Sequence, residues 1–163
     1  MSKFFQRLCI VAGILAIGGL GLLAWHKHTK AAVVLPSSVS SKLLFTPYTP
    51  QSLPSGLSFN KTSPHTKEGA LFFAVQSKTV VITFSEQAVP KSYDLNTFYD
   101  ASISSPARLD VKPGTAVYGQ TYNKQGNIIS YTTSDNTWII MTSIGSVPKA
   151  TALQLIKSLK AQP

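Results

Sequence analysis

The chain has 163 residues, about one domain's worth by length, with Lys+Arg 15 against Asp+Glu 6 for a formal net charge of +9. Only 13% of residues are charged while 44% are hydrophobic, which provides for a core and excludes wholesale disorder. A single cysteine excludes an internal disulfide framework and a cysteine-built zinc site.

First in chain order comes Leu8 to Trp25, LCIVAGILAIGGLGLLAW, a run without charge. As a helix it would extend roughly 27 Å, close to the hydrocarbon thickness of a bilayer. Lys3, Phe4, Phe5 and Arg7 flank one end, and Trp25, Lys27 and Lys30 the other, as interfacial anchors do. A cleaved secretory signal with MSKFFQR as its basic start competes with this reading. Against it, the apolar run is longer than such signals carry, and no good small-x-small site follows directly. The sequence thus predicts a cytoplasmic tail at residues 1–7, a transmembrane signal anchor at 8–25 and a Ser/Pro-containing juxtamembrane linker at 26–44. An extracytoplasmic domain at 45–163 would follow, in a single-pass protein of the cell membrane.

Pro47, Pro50 and Pro54 keep the entry to the domain out of helix. Leu71–Val75 and Thr79–Phe84 then alternate with period two around a tight turn at Ser77-Lys78, a hairpin pattern. Asp94 stands where it can cap a short helix carrying Leu95, Phe98 and Tyr99 on one face. Three further strands, Ala116–Tyr122, Ile128–Thr133 and Thr137–Thr142, are separated by turn residues as in a meander. After Pro148, Ala152, Leu155, Ile156 and Leu159 form the apolar stripe of a closing helix. The expected fold class is α+β: an N-terminal transmembrane helix, then one domain with a curved antiparallel sheet of about five strands and the C-terminal helix packed on it.

Catalytic chemistry has no visible carrier. His65 is a lone loop histidine, and Glu68, Glu86, Asp94, Asp100, Asp110 and Asp135 are scattered, mostly at turns or helix ends where capping explains them. No GxSxG, SxxK, P-loop or dinucleotide pattern occurs, so no catalytic, cofactor-binding or metal-ligating residue is assigned. Asn60-Lys61-Thr62 is a glycosylation sequon, a short pattern with meaning only in a eukaryotic secretory pathway. Beyond residue 30 the bases stand singly from Lys42 to Lys160, with Arg108 the one arginine among them. That dispersal lacks the basic stripe of a nucleic-acid binder. Tyr118, Tyr122, Tyr131 and Trp138 lie on the predicted meander. Core filling is the plain reading of them, and a ligand or partner face on an uncovered side of the sheet is the sharper one.

The run GTAVYGQTYNKQGNIISYTTSDNTWIIMTS followed by VPKATALQLIKSLK resembles bacterial membrane-anchored domains of unknown function. Those are similar to the periplasmic lipoprotein-carrier and sigma-factor-regulator half-barrel domains. The shared elements are the Gly114–Tyr118 strand start, Trp138 in a late strand and a helix ending in Ser158-Leu159. The resemblance implies a curved sheet with a helix and an exported location, and no substrate. The expected function is a non-enzymatic, membrane-tethered binding module at the cell envelope, without cofactor. Its partners would be the membrane and an envelope protein, lipid or glycan, with no nucleic acid. A structural or assembly subunit of an envelope complex, pairing through sheet edges, is the alternative.

Overall fold

Alternating apolar side chains generate the main sheet of the computed structural model, which describes residues 32–162. β4 (Ala70–Gln76) and β5 (Val81–Ala88) form the hairpin read from the sequence, closed by the Ser77 N–H donating to the Val80 carbonyl at 2.8 Å. The Ser77 hydroxyl oxygen also accepts from the Thr79 and Val80 amides, fixing the turn locally. The far side of β5 pairs with β9 (Thr137–Ile144) from Val81↔Ile144 to Ala88↔Thr137. From β9 the sheet continues through β8 (Asn127–Thr132) and β7 (Thr115–Gln120) to the edge strand β6 (Ser104–Leu109). Two short strands, β2 (Ser58–Phe59) and β3 (His65–Lys67), share the outer side of β4.

Period two sorts the side chains onto two faces. Leu71, Phe73, Val75, Ile82, Phe84, Ile129, Tyr131, Ile139 and Met141 belong to the larger core. The pieces of chain that cover it include α3 (Lys149–Ser158) with Ala152, Leu155 and Ile156; the stretch containing Val33 and Leu35; the segment with Leu53 and Leu57; and a two-stranded layer. That layer pairs β1 (Tyr48–Pro50) with β10 (Leu159–Ala161), Tyr48 facing Ala161 and Pro50 facing Leu159. On the opposite face, Ile103, Val117 and Ile128 form a smaller cluster with Phe98, Tyr99 and Ile140. Here α2 (Leu95–Ser102) is the cover, and the Asp94 carboxylate caps it by accepting from the Asn96 amide at 2.9 Å. A single turn, α1 (Ser37–Ser40), precedes β1.

The fold class departs from expectation. Strands make up 42% of the described residues and helices 17%, so the domain is mostly β, built on an eight-stranded antiparallel sheet in place of about five strands. The added strands were hidden for physical reasons. β6 contains Pro106 and a register shift between Ser104 and Ala107, β2 and β3 are two and three residues long, and β10 takes Leu159, which the helical stripe had claimed. The last described element is therefore a strand.

The expected single-pass membrane protein, with its signal anchor, membrane localisation and exported domain, is also corrected. Among the described residues no helix is long and apolar enough to cross a membrane. The longest, α3, has 10 residues, and at 1.5 Å per residue that is about half a bilayer core. The segment Leu8–Trp25 on which the expectation rested lies outside the described residues.

Candidate functional site

The four aromatic residues singled out from the sequence do not line one surface. Tyr118 and Tyr131 point into the larger core side of the sheet. The Tyr118 hydroxyl donates to the Val147 carbonyl at 2.9 Å and accepts from Asn127 Nδ2 at 2.9 Å, tying β7 and β8 to the entry of α3. The Tyr131 hydroxyl donates to the Pro113 carbonyl. Trp138 lies on the opposite face, 4% exposed, donating through Nε1 to Ser130 Oγ at 2.7 Å and packed edge-on against Phe98 at 4.9 Å. Tyr122 sits in the β7–β8 turn, exposed, with its hydroxyl on the Asp100 carbonyl. Three of the four are covered, and the sheet separates Tyr118 and Tyr131 from Trp138. Parity along each strand, not aromaticity, decides which side chain faces which layer.

A cleft of about 250 Å³ opens at one end of the sheet instead. Its lining comes from three distant stretches: Ser55, Gly56 and Leu57; Ser77, Val80 and Ile82 of the β4–β5 hairpin; and Ser146, Val147, Pro148 and Thr151 at the start of α3. Leu57, Ile82 and Val147 are buried and form an apolar floor, while Ser55, Gly56, Ser146 and Pro148 are exposed at the rim. Gly56 has φ +86°, a left-handed turn conformation that carries the chain sharply over the floor. α3 follows Pro148 with no side chain capping its first amides, and Pro148 and Thr151 of this first turn line the cleft. A wider and shallower depression runs between α1 and residues 43–47, with Gln162 at its border.

Glu86 is the residue that the sequence did not single out. It follows Ile82 and Phe84 at the same parity on β5, so the alternation that buries those two buries the carboxyl as well. Leu71 on β4 and Ile139 on β9 face it across the strands, and it is 0% exposed. Oε2 accepts from the Tyr48 amide at 2.8 Å, whereas Oε1 has no partner. Burial pushes its pKa up to about 8, opposed only by the Tyr48 N–H, so the carboxyl keeps its proton at neutral pH. The Tyr48 phenol reaches the other way, toward Asp135 and Thr133. Its pKa is raised above 10 by burial and then by the Asp135 carboxylate. Burial also raises Tyr131, with Asp135 adding to it.

These groups do not assemble into a reaction centre. Glu86 is sealed beneath β1, and His65, on β3, stacks at 5.3 Å on Phe72, whose strand parity puts it on the other face of the sheet, with Nδ1 on the Ser63 carbonyl. Among the described residues no group of three His, Cys, Asp or Glu side chains is placed to hold a metal ion. The cleft offers shape and hydrogen-bond donors without a nucleophile–base pair. Comparison with known proteins finds no match to this chain among family models, curated proteins or solved structures.

Proposed function

We propose that the domain is a non-enzymatic binding module that takes an apolar side chain of an extended protein segment into the cleft between the β4–β5 hairpin and the start of α3. The observation that carries this reading is the cleft's make-up, an apolar floor of Leu57, Ile82 and Val147 under a rim of hydroxyls and uncapped amides. The floor suits one large aliphatic or aromatic group, and the rim suits the peptide backbone around it. A protein segment fits better than a glycan, because the aromatic platform a sugar ring would stack on is divided between the two faces.

Assembly through sheet edges has less support. One edge, β6, is broken by Pro106 and by the shift between Ser104 and Ala107; the other is divided into β2 and β3. Both are devices that discourage strand addition.

The test is selection from a random peptide library displayed on phage, with counter-selection against a Val80→Trp variant whose indole fills the cleft. Recovered peptides should share one large apolar residue and lose at least about tenfold in affinity for the variant, the cost of a displaced anchor. Peptides that bind the variant equally well, or no enrichment at all, would sink the reading.

A further inference from the structure

Glu86 holds down a layer of the molecule that has few other polar ties to the sheet beneath it. β1 and β10 have three residues each and pair with one another, not with the main sheet. One edge of β1 faces β10, with the Gln51 amide on the Ser158 carbonyl and the Gln162 amide on the Pro47 carbonyl at its ends. The other edge receives the Val33 amide at the Pro50 carbonyl, and its remaining donor, the Tyr48 N–H, is taken by Glu86. Thr137 Oγ1, donating to the Thr46 carbonyl at 3.1 Å, and the Tyr48 phenol beside Asp135 and Thr133 are further polar ties between this layer and the sheet. Apolar contact adds to these ties, with Leu159 part of the larger core and Tyr48 packed against it.

We infer that Glu86 is a proton-operated latch for the β1–β10 layer: with its proton the carboxyl stays beneath the layer and holds the Tyr48 amide, and without it the layer lifts while the main sheet stays paired. The geometry makes the two states unequal. Oε1 has no donor in the closed state, so a carboxylate there would keep one bare oxygen among Leu71, Phe84 and Ile139. Lifting β1 lets water reach it. Among the described residues no neighbour takes over the role of counter-ion. The core-facing positions of β4 and β9 carry Leu71, Phe73 and Val75, and Thr137, Ile139, Met141 and Ser143, none of which titrates. β1 brings only the Tyr48 phenol, and β8 and the turn after it bring Tyr131 and Asp135. Both phenols are raised above 10 and stay neutral through the range that matters. On the covering elements, Lys149 and Lys157 of α3, Lys160 of β10 and Lys42 after the Val33–Leu35 stretch are all exposed.

The sign follows from where the proton is held. The closed state holds it more tightly than the open state, so opening releases a proton and is favoured as pH rises. The opening constant grows by up to about tenfold per pH unit between the ordinary carboxylate range and about pH 8, then levels off. Amide hydrogen exchange on the full chain reads this directly, after correction for the intrinsic dependence of exchange on pH. The Tyr48, Thr49, Gln51 and Gln162 amides should show protection at least tenfold below that of Phe84 and Met141, falling as pH rises from 5.5 to 7.5 by up to about a hundredfold. In Glu86→Gln, which keeps an acceptor for the Tyr48 amide but has no proton to lose, their protection should not vary with pH. Followed by carbon NMR, the Glu86 carboxyl should titrate with a midpoint above pH 7. The latch is overturned if the β1–β10 amides share the protection of the sheet centre at every pH, since the carboxyl then acts only on global unfolding. It is equally overturned if the pH dependence persists in Glu86→Gln, or if the carboxyl titrates near pH 4.5.

Discussion

At the scale of single residues, the domain contrasts a polar group that is fully satisfied with one that is not. Asn127 is buried, and its side chain accepts from the Val147 amide at 2.7 Å and donates to the Tyr118 hydroxyl, so each end has a partner. Glu86 is buried as deeply and leaves one oxygen bare. The difference predicts opposite mutational behaviour. Asn127→Ala strands the Val147 amide in the interior and should cost about 2–3 kcal/mol in urea unfolding at constant m-value. Glu86→Gln should instead change how stability depends on pH. The native carboxyl binds its proton up to about pH 8 while the unfolded one releases it near 4.5, so its contribution is whole below the lower value and is lost as pH rises toward the upper one. Wild type should lose up to about 1.4 kcal/mol per pH unit relative to Glu86→Gln between pH 5 and 7.5. Parallel stability profiles for the two proteins would show that Glu86 ionises normally. The same-parity run Ile82-x-Phe84-x-Glu86 already marked this acid as inward-facing. Reading each acid by its proximity to turns concealed that, because burial belongs to the strand pattern and not to the residue type.

Elements were legible in the sequence in proportion to how local their cause is. The β4–β5 hairpin rests on alternation plus a Ser77 turn, and α2 rests on its own cap at Asp94, so both could be read within a short window. β1 and β10 are held by pairing across more than a hundred residues, and neither is long enough to show a period. The cleft was illegible for the same reason, its three lining stretches meeting only through the folded sheet. α2 is the element whose docking is easiest to probe. Phe98 meets Trp138 edge to face, and Phe98 and Tyr99 pack against the cluster of Ile103, Val117 and Ile128. Phe98→Ala should cost about 2–4 kcal/mol, less than the larger aromatic truncations because Phe98 is only half-buried, and should raise amide exchange within residues 95–102 ahead of the sheet. Uniform exchange across sheet and helix in that variant would mean that α2 is not a separable cover.

Across the whole molecule, one sheet carries two unequal covers, and its open edges are managed rather than paired. The Pro106 interruption of β6 predicts that Pro106→Val lengthens the pairable edge and increases self-association, measurable by sedimentation as a rise in average mass with concentration. A variant as monodisperse as wild type would remove that role from Pro106. The two-faced layout also has an optical consequence. Trp138 lies under α2, on the side of the sheet away from β1, with its indole N–H held by Ser130 and its ring against Phe98. With Trp25→Phe removing the other indole, its emission would follow the α2 side alone, remaining blue-shifted while the β1–β10 layer rises and reddening only when the sheet itself comes apart. The chain thus contains a fluorescent witness to one of its faces that is blind to events on the other.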